Sequence, residues 1–187
     1  KQALYGIIQG GVFEDLRRES AAFTAANDFF GTAIGGSLGV TVDQVYDDVV
    51  RWAMESAHPD RPVHLLGIGS MRDIFQGVRL GVDTFDCVTP TRIARHGWGL
   101  AKKTKGERLN LRNSCYRDDT TPLNPESDFG PSQFSRGYLH HLIKAHEPLA
   151  AHILSLHNIN MMCTLMREVR AAIESDTLDA LEKEWIL

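Results

Sequence analysis

Four short apolar or β-branched runs precede residue 90; the first three close on glycine, and each of these gives way to a segment of helical period. The runs are Ala3 to Gly10, Gly31 to Gly36, Val63 to Gly69 and Val82 to Val88; the helical segments are Phe13 to Asn27, Val42 to Ser56 and Met71 to Leu80. This β-α-β-α-β-α-β order predicts parallel strands joined by right-handed crossovers. Four strands with three connecting helices cannot close a barrel and leave sheet edges bare. Half of a (β/α) barrel and a small open doubly wound sheet both satisfy the pattern, and periodicity does not separate them. The chain begins at Lys1, almost directly on a strand, as expected of a fragment or processed product.

After Pro90 the rhythm changes. Gly97 to Leu111 alternates apolar and polar residues around Lys105-Gly106, the pattern of an antiparallel hairpin. Ser135 to Ala145, Pro148 to Ser175 and Leu178 to Ile186 are predicted helices, so a division into 1–96 and 97–187 is expected. With 43% apolar and 24% charged side chains, the 187 residues suit one globular domain with an appendage. There is no apolar run of about 18 residues and no charged-then-apolar leader, so a cytoplasmic protein is expected. Cys87, Cys115 and Cys163 are too scattered for a disulfide framework or a thiolate metal site.

The net charge of −4 does not announce a nucleic-acid partner, yet eight Lys or Arg lie between Arg92 and Arg117 against the single acid Glu107. That segment is either a solvated hairpin tip or a phosphate-facing surface. In βα architectures the carboxyl ends of the strands face the active site. Here Gln9-Gly10-Gly11, Gly35-Gly36-Ser37, Gly67-Ile68-Gly69 and Asp86 all stand at such ends. Glycines there either turn the chain or let a flat ligand reach backbone groups. Asp86, in the otherwise apolar Phe85-Asp86-Cys87-Val88, is either ion-paired with Arg92 or Arg95 or catalytic.

The string Phe85-Asp86-Cys87-Val88-Thr89-Pro90-Thr91-Arg92-Ile93-Ala94-Arg95 resembles the FDCV-x-PTR-x-AR signature of tRNA-guanine transglycosylases, also called queuine tRNA-ribosyltransferases. Gly6 to Gly10, Glu14-Asp15-Leu16-Arg17, Ala33 to Gly36, Leu66 to Gly69, Leu109 to Asn113, Ser135 to Leu142 and His157-Asn158-Ile159 agree in order and spacing. The resemblance spans nearly the whole chain but only the second half of the family's length. The family's acid–base aspartate has no counterpart in these residues.

The resemblance implies the C-terminal half of a TIM (β/α) barrel, four parallel strands followed by a β-hairpin and a C-terminal helical subdomain. It implies an enzyme that exchanges the wobble guanine of tRNA for a 7-deazaguanine base, with Asp86 attacking the anomeric carbon to give a covalent ribosyl-enzyme. Gln9 and the backbone around Gly36, Ser37 and Gly67 would hydrogen-bond the base, and Leu66, where the family commonly has methionine, would cover one face of it. Arg92 and Arg95, extended by Lys102 and Lys103 of the hairpin, would hold the anticodon loop, with affinity falling as salt rises. A homo-oligomer, or a partner carrying the first half, is a further expectation.

Two departures from the family pattern carry information. Where bacterial members read LSVGE, this chain has Ser37-Leu38-Gly39-Val40-Thr41; Gly39 in place of valine leaves room for queuine in preference to the smaller aminomethyl precursor. The family's zinc motif, C-x-C-x-x-C with a distant histidine, is represented by Ser127, Phe129, Ser132 and His157. Serine and phenylalanine do not replace thiolates, so no tightly bound zinc is expected and His157 reads as structural. Competing readings are a catalytically incomplete relative that serves as a tRNA-binding accessory subunit, and an α/β hydrolase using Asp86 as a base. The second lacks a G-x-S-x-G elbow or metal triad.

Overall fold

The computed structural model describes residues 2–36 and 44–187. They form two compact units, Lys1–Cys87 and Val88–Leu187. In the first, β1 (Tyr5–Ile8), β2 (Gly31–Ile34), β3 (Val63–Leu65) and β4 (Thr84–Phe85) make one parallel sheet in the order β1-β2-β3-β4. A doubly wound sheet reverses its strand order at a switch point; sequential order without reversal is that of half a TIM barrel. The connecting helices are α1 (Glu14–Ala26), α2 (Arg51–Glu55), which continues the π-helical turns Gln44–Val50, and α3 (Met71–Arg79).

Alternation along each strand decides which face the helices cover. Ile8, Ile34, Val63 and Leu65 point to the helices and join Ala21, Val49, Val50 and Ala53 in one core. The intervening residues, Ile7, Ala33, His64 and Thr84, share the opposite face, on which Ile7 is half-exposed. α3 starts on a capping box: Ser70 Oγ accepts from the Asp73 amide at 3.2 Å, and Asp73 accepts from the Ser70 amide at 2.9 Å.

The second unit opens with α4 (Thr89–Arg95), a helix that sequence periodicity does not anticipate. Pro90 there sits in the first turn, where a missing N–H costs nothing, although it reads as a break. β5 (Trp98–Leu100) and β6 (Arg108–Asn110) form the expected antiparallel hairpin, with Trp98 opposite Asn110 and Leu100 opposite Arg108. α5 (Arg136–Lys144), α6 (Pro148–Glu174) and α7 (Leu178–Trp185) follow. α6 buries Ala150, Ile153, Leu154, His157, Asn158, Met161 and Leu165 at three- and four-residue spacing, the stripe of a core-facing helix. No helix among the described residues is long and apolar enough to cross a membrane.

Asn158 is the polar pin of this unit. Fully buried, it accepts from the Leu100 amide at 2.7 Å and donates to the carbonyls of Pro90 at 2.8 Å and Trp98 at 3.2 Å. One side chain thus ties α6 to both α4 and β5. Leucine in its place leaves an amide and two carbonyls short of a partner in the interior. N158L is expected to lose about 3 kcal/mol of stability, at roughly 1 kcal/mol per stranded group. A urea midpoint lowered with an unchanged slope is the signature; a midpoint equal to wild type would show that the pin is dispensable.

Candidate active site at the carboxyl ends of the strands

Parallel pairing places His64 of β3 beside Thr84 of β4. Two residues beyond Thr84 and on the same face stands Asp86. The imidazole spans the gap: Nδ1 lies 2.8 Å from Thr84 Oγ1 and Nε2 lies 3.2 Å from Asp86 Oδ1. A carboxylate only accepts, so the Nε2 proton faces Asp86, and in the neutral ring Nδ1 accepts from the threonine hydroxyl. The Gly67 amide donates to the same Oδ1 at 2.9 Å. Gly67 can aim that amide because its φ is +74°, a left-handed conformation that glycine adopts without strain, and the space where a side chain would stand is open.

Both donors therefore converge on one oxygen. Oδ2 has no hydrogen-bond partner among the described residues and lies in a side chain that is 55% exposed. The apolar string around Asp86 suggests a buried acid, and the structure differs: β4 ends at Phe85, and Asp86 follows it on the half-covered face. Its partners are a histidine and a backbone amide, not an arginine. An exposed carboxylate with one oxygen hydrogen-bonded and the other without a described partner can attack an electrophile or take a proton.

Gln9, Gly35, Gly36 and Leu66 gather at the neighbouring strand ends. The Gln9 side chain lies against Gly36, whose φ of +82° and lack of Cβ admit it. A Cβ at Gly35 would come within 3.0 Å of Leu66 and 3.3 Å of the Gln9 amide nitrogen. Of the base-binding candidates, Gln9 meets Gly36, Leu66 lies against Gly35, and Gly67 is bonded to Asp86, while Ser37 and Gly39 lie outside the described residues.

What holds these loops is Arg17, a residue of the Glu14-Asp15-Leu16-Arg17 motif to which sequence reading assigns no role. It has no solvent exposure. Its Nε donates to the Gly11 carbonyl at 2.7 Å, and Nη1 donates to the carbonyls of Gly35 at 2.8 Å and Ile8 at 3.3 Å. Burial pulls the guanidinium below the usual arginine range. One cation thereby fixes the chain at the ends of both β1 and β2. His64 is the other residue missed; its signal was parity, since it shares a face with Thr84 and Asp86.

In the second unit, Arg92 and Arg95 stand exposed, one turn apart on α4. Lys102 is already engaged: its ammonium lies 4.1 Å from the centre of the Trp185 ring and 3.7 Å from Glu168. Lys103 has a φ of +54°, and its amide donates to the Trp185 carbonyl at 3.0 Å. Around the family's zinc positions the donors do not fit a metal. His157, fully buried, gives its Nε2 proton to the Leu100 carbonyl at 2.9 Å, and Nδ1 accepts from Ser132 Oγ at 2.8 Å. Its one lone pair is taken by a serine hydroxyl, and burial pushes its pKa down. Ser127 Oγ accepts from the Phe129 amide at 3.2 Å. No cluster of three or more His, Cys, Asp or Glu suited to a metal occurs among the described residues.

Sequential parallel strands with glycine-rich carboxyl ends are those of half a (β/α) barrel, a fold whose sites lie at that face. The family model for queuine tRNA-ribosyltransferase matches residues 1–187, and the chain belongs to that family. Queuine tRNA-ribosyltransferases of Roseiflexus sp. (strain RS-1), Thermoanaerobacter sp. (strain X514) and Prochlorococcus marinus (strain MIT 9303) are similar to it at 42%, 43% and 44% identity. The matches cover 99%, 99% and 98% of this chain but 46%, 49% and 49% of those proteins. The chain thus spans about half the length of the curated relatives it matches.

The strand-end loops depend on Arg17 more than their glycine content suggests. R17M removes the hydrogen bonds to the carbonyls of Ile8, Gly11 and Gly35 while keeping an apolar stem, and is expected to cost about 3 kcal/mol or more. Amide exchange should accelerate first at Gly11 and Gly35. Uniform acceleration across the chain, or none, would contradict this role.

Proposed function

We propose that the protein exchanges the wobble guanine of tRNA for a 7-deazaguanine base, with Asp86 as the nucleophile. The supporting observation is the carboxylate itself: Oδ1 is held by His64 and Gly67, while Oδ2 has no hydrogen-bond partner among the described residues and the side chain is 55% exposed. Oδ2 bonds to the anomeric carbon as the bond to guanine breaks, and the pair stays with the purine. A carboxylate serves because it is anionic at neutral pH and leaves again from an acetal ester. Gln9 offers a donor and an acceptor to the base edge, and Leu66 covers the flat face. The acid that protonates the departing guanine belongs to the family's other half, carried on the same polypeptide or by a partner.

The anticodon loop is the proposed macromolecular partner, and work on tRNA sets the reaction in the cytoplasm. Arg92 and Arg95, exposed one turn apart on α4, hold the loop's phosphates in this reading. Arg95 also lines a recess of about 420 Å³ with Arg112 and Lys144, where Glu147 is the one acid. Lys102 adds less than its charge suggests, because Glu168 already neutralises it. The proposed base is queuine, on the strength of Gly39. The accessory-subunit reading makes the opposite forecast for the experiment that follows.

The test is a covalent adduct between the full-length protein and an anticodon stem-loop carrying guanine at the wobble position. Wild type should give a band stable to denaturant and D86N none; an adduct persisting in D86N, or none in wild type, defeats the nucleophile reading. In base exchange, queuine should be incorporated in preference to the aminomethyl precursor, and incorporation of only the precursor would reverse that choice.

We also propose that the second unit needs no zinc, because the Ser132 hydroxyl occupies the lone pair a metal would use. Elemental analysis of the purified protein should find far less than one equivalent, and activity should survive chelation. One tightly held equivalent would overturn this.

A further inference from the structure

We propose that His64 is a positioning residue that controls release of ribose from Asp86, the second half of the exchange. This rests on the nucleophile reading above and goes beyond it, because it assigns the two carboxylate oxygens different duties. The ring is held at both nitrogens, by Thr84 Oγ1 at 2.8 Å and by Asp86 Oδ1 at 3.2 Å, and its side chain is only 24% exposed. It has little freedom to turn away. The Gly67 amide reaches the same oxygen at 2.9 Å, so two N–H groups grip Oδ1 and neither hydrogen-bonds to Oδ2.

Their effect differs between the two chemical steps. In the first, the Oδ2–C1′ bond forms as C1′–N9 breaks; the electron pair goes to N9 of guanine, and the purine takes a proton from the family's general acid, a carboxylic acid outside these residues. Oδ1 then becomes the carbonyl oxygen of an ester, and its hydrogen bonds weaken as the negative charge is lost. In the second step, N9 of the incoming 7-deazaguanine bonds to C1′ and its proton passes to that same carboxylate. The C1′–Oδ2 bond breaks, and its electron pair returns to Asp86. Charge reappears on Oδ1, where the Nε2 proton of His64 and the amide of Gly67 are already in place. Donors that need no rearrangement as charge develops lower the barrier to its appearance. His64 therefore restrains attack and favours release.

The consequence is an intermediate that builds up when the donor is lost. In the full-length protein, loaded with a wobble-guanine stem-loop, H64L should raise the fraction of enzyme trapped as adduct. It should slow breakdown of that adduct by about tenfold when excess free base is added, the loss expected for one charge-assisted hydrogen bond. H64Q, which retains an N–H near the Nε2 position, should recover most of the wild-type breakdown rate. T84V, which frees the ring without removing the donor, should fall between. A role confined to folding would lower adduct formation and breakdown together and would not be rescued by glutamine.

A wild-type adduct whose breakdown is unchanged in H64L overturns the role of His64 and leaves Asp86 as nucleophile. H64Q behaving like H64L overturns it too, because shape and not the donor would then matter. If H64L does not fold, T84V decides, and a breakdown rate equal to wild type counts against the proposal. Absence of any adduct in wild type removes the nucleophile reading and this proposal with it.

Discussion

A parallel sheet leaves backbone groups without ladder partners where each strand stops, and a binding face built there must satisfy them without filling the space. In the first unit a buried cation does this. Arg17 reaches from α1 to the carbonyls of Ile8, Gly11 and Gly35, so one side chain ties the chain just after β1 to Gly35 just after β2. Gly10 is bound into the same arrangement: a Cβ on it would come within 2.7 Å of the Arg17 backbone nitrogen. The glycines thus serve the arginine as well as any ligand.

The second unit solves a related problem with neutral groups. Its hairpin is only three residues per strand, too short to stand alone. Consecutive residues of α6 supply what is missing. His157 takes the Leu100 carbonyl and Asn158 takes the Leu100 amide, so both polar groups of one hairpin residue are satisfied by one helix. Ser132 then closes the far side of the imidazole, and the segment before α5 is joined to α6 by a hydrogen bond. A neutral histidine suits this place, since a charged one would face desolvation with no anion beside it.

Much of this was legible in the sequence, for reasons that also explain the gaps. α1 and α3 match the expected bounds to within a residue or two, but only α3 does so with its apolar stripe inward, since α1 buries Arg17, Ala21 and Thr24 and exposes Leu16 and Phe23; the hairpin shows by alternation. Strand lengths were overread, because Val63 to Gly69 stays apolar or glycine-rich although pairing ends at Leu65. α4 was hidden by Pro90. Strand-end position and motif single out Gln9, Gly36, Leu66 and Gly67, but not the side chains that support these ends. Arg17 looks like any cation on an amphipathic helix, since periodicity cannot tell a buried guanidinium from a solvated one. His64 sits in Val63-His64-Leu65, where only the register with Thr84 shows what it faces.

The same register explains why the acid can be exposed and still be defined in position. In water a carboxylate rotates freely and its two oxygens are equivalent. Here the β3–β4 pairing sets His64 beside Thr84, the hydroxyl sets the ring, and the ring together with the Gly67 amide singles out Oδ1. Orientation comes from neighbours on adjacent strands, so the site does not need a closed interior to distinguish the two oxygens. On the proposed role of Asp86 this asymmetry serves a nucleophile that must also leave: the bond-forming oxygen is the one without a described partner, and the oxygen that receives the returning charge has its donors in place beforehand.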